Sequence, residues 1–303
     1  RVNLESAEGQ GATFTVWLPL VATTRPVSTG PSNLQPGENA PLRAKLRLLL
    51  VEDNPTNQKV ALGMLHRLGY ENIQIAQNGQ EAVDVAQQQS FDAILMDCQM
   101  PVMDGYTATR TLREQGHNTP IIAMTANVLE TDRQQCLAAG MNDFIPKPVN
   151  RQRLESTLNT WIPGTSTEPP SRPATPTGMP TPSNPAPVPD TAIKSVFNRE
   201  AALSCLDGDT RLLDIVIQAF IDDTPSTIEK LTLAAHAGNA ADARIYVHGI
   251  KGAAASAGAE ILRETAWRLE SLAKAGDMTT FCDGIPQLKQ QFDEFVKAAG
   301  TTA

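Results

Sequence analysis

Two short apolar runs that each stop on carboxylates constrain this chain more than any other feature. Leu48-Leu49-Leu50-Val51 ends on Glu52-Asp53, and Ala93-Ile94-Leu95-Met96 ends on Asp97. An uninterrupted apolar run of this length is how a strand reads when helices cover both faces of a parallel sheet. Ligands of such sheets bind just beyond the carboxyl ends of the strands. Glu52, Asp53 and Asp97 are therefore expected to converge on one rim. Three acidic groups in one place need a hard cation bound through oxygen, and Mg2+ suits them.

The surrounding pattern supports that sheet. Between residues 46 and 162, strands expected at 46–51, 72–76, 92–97, 120–125 and 142–146 alternate with helical patterns near 55–69, 79–88, 105–115, 128–139 and 150–161. Asn54 before Pro55 and Asn150 before the last pattern are N-cap signals. Five such repeats with short loops predict a doubly wound α/β domain with a five-stranded parallel sheet. Residues 163–190 hold 10 of the 22 prolines and read as an extended tether that lets its flanking domains meet in many orientations. From 191 to 300 no strand pattern survives. Helical periodicity near 210–222, 225–237, 240–257, 259–275 and 278–298 predicts a separate all-α bundle. Residues 1–20 read as a turn and one alternating strand (Phe14, Val16, Leu18), and 21–45 as a linker.

Composition excludes several classes. A net charge of -8 and the absence of Lys/Arg runs argue against a nucleic-acid surface. Cys98, Cys136, Cys205 and Cys282 are scattered, and are expected to be reduced in a cytoplasmic protein. No apolar span or signal peptide is evident, so no membrane contact is expected. The start at Arg1, inside a strand pattern, suggests a piece of something longer.

The remaining strand ends add chemistry to the rim. The fourth ends at Thr125-Ala126 and the fifth runs into Lys147-Pro148. A carboxylate can attack a phosphoryl group if a metal neutralises its oxygens and fixed donors hold the rest. In that scheme Glu52 and Asp53 hold the metal, Asp97 is ligand and nucleophile, Lys147 supplies positive charge and Thr125 a hydroxyl. The set Glu52-Asp53, Asp97-x-x-Met100-Pro101-x-Met103-Asp104-Gly105, Thr125-Ala126 and Lys147-Pro148 resembles the receiver domain of two-component response regulators. The resemblance implies that Asp97 is the phospho-acceptor, that the Gln99 carbonyl is a further metal ligand, and that Thr125 and Phe144 form a switch. It also implies a cis Lys147–Pro148 bond.

The second half offers one histidine in a telling place. At about 100° per residue, Ala243, Tyr246, Val247, Ile250, Ala253, Ala254 and Ala257 share one helix face. His248 falls opposite, beside Arg244, Lys251, Gly252 and Ala255, and is expected to point to solvent. A glycine inside a helix costs about 1 kcal/mol relative to alanine, so Gly252 needs a reason, such as letting a partner approach the imidazole. This run, with Gly258 and the opening Phe197-Asn198-Arg199-Glu200-Ala201, resembles the histidine-containing phosphotransfer (Hpt) domain. His66, His117 and His236 read as surface residues without a role.

Residues 5–20 look like the last strand of a histidine-kinase ATPase domain, but no other part of an ATP site is legible, so the chain is not expected to phosphorylate itself from ATP. Together the resemblances imply part of a tripartite hybrid sensor histidine kinase. A kinase histidine donates phosphate to Asp97, His248 collects it, and a downstream response regulator receives it. The same residues leave two rivals open. One is an adaptor that binds a sensor kinase or regulator without relaying phosphate. The other is a phosphate sink in which Gln99 and Asn127 influence the water near Asp97.

Overall fold

The computed structural model describes residues 2–7, 11–16, 40–125, 130–162 and 195–300. They fall in two compact units, residues 1–35 and 36–303. In the first unit β1 (Val2–Ala7) pairs antiparallel with β2 (Gly11–Val16), Ala7 opposite Gly11. Two strands stand where one was expected, because Val2, Leu4 and Ser6 alternate with Asn3, Glu5 and Ala7 as regularly as the second strand does. The turn residues 8–10 and Leu18 lie outside the described residues, as do Ala126, Asn127 and the proline-rich tether.

The second unit opens with α1 (Ala40–Arg43), inside the stretch read as linker. Its Arg43 donates to Leu68 O, Glu155 and Asn159 and lies over the Tyr70 ring, which fastens the segment to the sheet domain. Then come β3 (Arg47–Val51), α2 (Pro55–Arg67), β4 (Asn72–Ala76), α3 (Gly79–Gln88), β5 (Ala93–Asp97) and α4 (Gly105–Glu114). They are followed by β6 (Ile121–Thr125), α5 (Glu130–Ala139), β7 (Asp143–Pro146) and α6 (Arg151–Trp161). The strands form a parallel sheet in the order β4-β3-β5-β6-β7. Side chains alternate across a strand, and the core divides accordingly. Leu48, Leu50 and Leu95 meet Val60, Met64, Leu154 and Leu158 on one side. Leu49, Val51 and Met96 meet Val83, Ala108, Leu112 and Cys136 on the other. Helices thus cover both faces, as the apolar runs require.

The α-helical part comprises α7 (Arg199–Cys205), α8 (Thr210–His236), α9 (Ala240–Ala257), α10 (Glu260–Ala275) and α11 (Met278–Gly300). α7 was not expected, although Asn198 caps it by accepting from Ala201 N. α8 was expected to break near residues 223–224 but runs on with Pro225 inside it. An interior proline costs about 3 kcal/mol, yet Pro225 is exposed. The buried stripe Val216, Phe220, Thr224, Ile228, Leu231 and Ala235 continues past it at helical spacing. Burial of that stripe outweighs the lost hydrogen bond. Phe220 meets Phe292 and Phe295 edge-on in the bundle core.

The sheet domain and the bundle are not independent in this structure. Leu206, Leu212, Leu213 and Val216 join the cluster that contains Val60 and Met64 of α2. Gly63 makes that seam close, since a Cβ there would come within 2.4 Å of Leu212. Arg67 pairs with Asp209 at 3.1 Å, and Arg151 pairs with Asp207, at the same seam. In this structure the two parts pack together, because the start of α8 carries apolar residues that lie against α2. Among the described residues no helix is long and apolar enough to cross a membrane.

Candidate functional site

In the sheet order, β3 is followed by β4 toward one edge, while the chain returns to β5 on the other side of β3. The crevice beyond the carboxyl ends of β3 and β5 is therefore the place where such a fold binds ligands. Glu52, Asp53 and Asp97 meet there, with one carboxylate oxygen of each lying within 4.8 Å of the others. Lys147, just beyond β7, reaches into the group: its Nζ lies 2.7 Å from Glu52 Oε2 and 2.8 Å from Asp97 Oδ2. Asn57 Nδ2 donates to Glu52 Oε1 at 2.9 Å, and Gln99 N donates to Asp97 Oδ1 at 3.3 Å.

Electrostatics explain why the pocket suits a cation. Burial, followed by the opposing pull of Lys147 and the repulsion of Asp97, raises the Glu52 carboxyl to about 7. Burial, then the charges of Asp97 and Glu52, raise Asp53 to about 8. Burial works against the Lys147 ammonium, but Asp97 and Glu52 more than offset it and hold the lysine above its usual range. One ammonium is thus set among more negative charge than it can neutralise. An all-oxygen donor set with surplus negative charge fits a hard divalent ion.

The loop after Asp97 is held tightly. A Cβ at Gly105 would lie 2.1 Å from Asp97 O, so only glycine lets α4 begin this close to the strand end. Met103 N donates to Pro101 O across Val102, which has a φ of 69° and is 85% exposed. A β-branched residue in that conformation is strained, as in a γ-turn. Thr125 ends β6 and is buried, and its carbonyl accepts from Lys147 N at 2.7 Å. The Lys147–Pro148 bond is cis. Phe144 is partly buried in β7 beside the Arg153 guanidinium.

The second constellation corrects one expectation. His248 does not point to solvent: it is only 7% exposed. Its Nδ1 lies 2.6 Å from Glu270 Oε1 on α10, and Lys251 bonds the other oxygen of that carboxylate. Burial acts to raise Glu270, but the bond and charge of His248, then of Lys251, prevail and bring it to about 2. The same face is covered by α2. Asn57 occupies the space over Gly252, where a Cβ would be 3.3 Å from its Nδ2, and Asn54 approaches Gly249. The helix wheel found the bundle face correctly, but could not show that a second domain lies over the opposite one. Arg244, Lys251, Gly252 and Ala255 are all partly buried.

Two participants escaped the sequence reading. Glu270 had no legible signal, since an acid on a neighbouring helix is ordinary. Asn57 is three residues after Asn54 and close to the acidic pair, but on its own it reads as a surface position in the first turn of a helix.

Comparison with known proteins agrees with this geometry. Residues 48–159 match the response regulator receiver domain, and residues 216–298 match the Hpt domain. The chain thus carries a receiver domain and an Hpt domain, and the proteins it is similar to include hybrid sensor histidine kinases. The signal transduction histidine-protein kinase BarA of Escherichia coli is 28% identical over 256 residues, covering 84% of this chain and 26% of that protein. Two-component system protein A of Emericella nidulans is 46% identical over 117 residues, 38% of this chain and 17% of that one. The chain therefore spans only a fraction of the curated relatives it matches. A solved receiver domain of a Pseudomonas aeruginosa sensor histidine kinase, with magnesium coordinated in its active-site cleft, is 52% identical. It covers 39% of this chain and 97% of its own, with a TM-score of 0.36.

Proposed function

We propose that this chain carries phosphate in two successive steps, from an upstream kinase histidine to Asp97 and from Asp97 to His248, for delivery to a downstream response regulator. The observation that carries the proposal is the juxtaposition of the two sites. The helix that starts just after Glu52-Asp53 packs on the helix that bears His248, and Asn57 touches both Glu52 and Ser256.

Each residue has work in this scheme. Glu52, Asp53, Asp97 and the Gln99 carbonyl would hold Mg2+, which would supply the positive charge that a transferring phosphoryl group needs. Asp97 attacks as the nucleophile. Lys147 and the Thr125 hydroxyl steady the phosphoryl oxygens once they leave the donor. Both Glu52 oxygens already have donors, in Asn57 and Lys147, so Glu52 mainly contributes charge beside the ion. Phosphorylation adds about -1.5 to -2 charges at the rim. That charge keeps Lys147, already 2.8 Å from Asp97 Oδ2, in the pocket, draws the Thr125 hydroxyl inward and leaves Phe144 to repack. On the other side, Glu270 accepts from His248 Nδ1–H, which fixes the tautomer and leaves Nε2 as the nucleophilic nitrogen.

Phosphate labelling of the full chain with acetyl phosphate and Mg2+ tests the scheme. The wild type should show acid-stable phosphate on Asp97 and acid-labile phosphate on His248. Asp97→Asn should show neither, and His248→Gln should keep the first alone. Label on His248 in Asp97→Asn would contradict the order of transfer.

A further inference from the structure

Asn57 stands at the third position of α2, where its backbone amide is held by the Asn54 cap at 3.1 Å. Its side chain bridges the two domains. Nδ2 donates to Glu52 Oε1 at 2.9 Å, while Oδ1 accepts from Ser256 Oγ at 3.4 Å. With Glu52 ionised, its carboxylate only accepts, so the NH2 faces Glu52 and the oxygen is left for a hydroxyl donor. Ser256 is buried and shares its hydroxyl with Gly252 O at 3.3 Å. Gly252 supplies the room, as a methyl group there would crowd Asn57. Glu52 then reaches Lys147, and Lys147 reaches Asp97. A continuous line of polar contacts thus joins Asp97 to α9, about two helical turns beyond His248.

We infer that Asn57 is a positioning residue through which docking of the Hpt helix is felt inside the acidic pocket. The inference rests on the roles proposed above for Asp97 and His248. With Ser256 in place, the amide has a partner on each side and Glu52 is held at both oxygens. When α9 withdraws, Asn57 loses its hydroxyl partner, its amide is free to rotate, and Glu52 is held by Lys147 alone. The pocket is therefore best ordered for Mg2+ while the Hpt domain is docked. By linkage, Mg2+ strengthens docking to the same degree. Glu52 is in this way a sensor of the second domain as well as part of the first.

The test is calorimetric titration of the full chain with Mg2+, paired with single-turnover transfer from Asp97 to His248. It uses the wild type, Asn57→Ala, Ser256→Ala and the double variant. Ser256 lies outside the pocket, so a purely structural role predicts no change in metal affinity. Coupling predicts that Ser256→Ala weakens Mg2+ binding about threefold, the effect of one modest hydrogen bond. Asn57→Ala should weaken it at least as much, and the double variant should match Asn57→Ala. Transfer should slow in the same order. Wild-type Mg2+ affinity in Ser256→Ala, or effects that add in the double variant, would overturn the inference and leave the relay standing. A wild-type chain that neither binds Mg2+ nor takes phosphate on Asp97 would overturn the relay reading and this inference with it.

Discussion

At the rim of the sheet, every chemical group stands at or beside a strand end whose neighbours are fixed by strand order. Along α9, His248 stands midway on a helix whose surroundings come from two other elements, α10 and α2. The first site is therefore built by one domain, whereas the second is finished by contact with another. Lys147 holds Glu52 and Asp97 at 2.7 and 2.8 Å, and Asp53 brings a carboxylate oxygen within 4.8 Å of theirs. His248 is held by Glu270, and Gly249 and Gly252 beside it lie against Asn54 and Asn57 of the receiver domain. The lesson is that the acid pocket should tolerate separation of the domains better than the histidine site does.

The contrast can be broken most severely at Lys147. Lys147→Ala leaves buried carboxylates without their ammonium, which should cost about 3 kcal/mol of receiver stability. Mg2+ should restore much of this loss. Denaturant unfolding with and without Mg2+ checks it, and an unchanged midpoint without metal would show that the ion pair is not structural.

Next in size is the seam. Gly63→Leu drives a side chain into Leu212. It should slow internal transfer to His248 about tenfold, the usual cost of overpacking a closed interface. At saturating Mg2+, where a loss of metal affinity does not register, labelling of Asp97 by acetyl phosphate should keep its wild-type rate. Quench-flow measurement of both steps separates the two sites, and equal slowing of both would erase the distinction between them.

A smaller effect comes from pH. Glu52 and Asp53 bind protons more tightly folded than unfolded, at about 7 and 8 against ordinary values of 4.5 and 3.8. Their contribution to stability is thus fully present at low pH and is lost as pH rises through those folded values. Melting temperatures from pH 5 to 8 should show the gap between Mg2+-loaded and metal-free protein widening with pH. A constant gap would mean that the carboxylates are already ionised without metal. The smallest effect is expected at Glu270→Gln, which keeps a hydrogen-bond acceptor for His248 but drops the charge. Transfer should slow about threefold, with Asp97 labelling unchanged.

The same contrast explains what could be read from the sequence. Leu48 to Val51 and Ala93 to Met96 announce doubly covered strands, and their terminal carboxylates announce the pocket, because sheet topology leaves such residues only one place to go. The α9 wheel likewise separated Val247 and Ile250 from His248. It failed at the next step, since solvent exposure of an outward face depends on what docks there. Leu212, Leu213 and Val216 carried the missing signal: they are apolar residues at the start of α8 that do not belong to the bundle core. Pro225 misled in the opposite direction, because local propensity was overruled by a buried stripe that continues past it.

The central claim is that Asp97 and His248 belong to one docked unit within a single chain. Following the single-turnover transfer rate across a wide range of protein dilution tests it most directly, alongside a mixture of Asp97→Asn and His248→Gln chains. A rate that stays constant on dilution, with the mixture transferring more slowly and in proportion to concentration, is the result predicted. A wild-type rate that falls with dilution, or a mixture as fast as the intact chain, would contradict it.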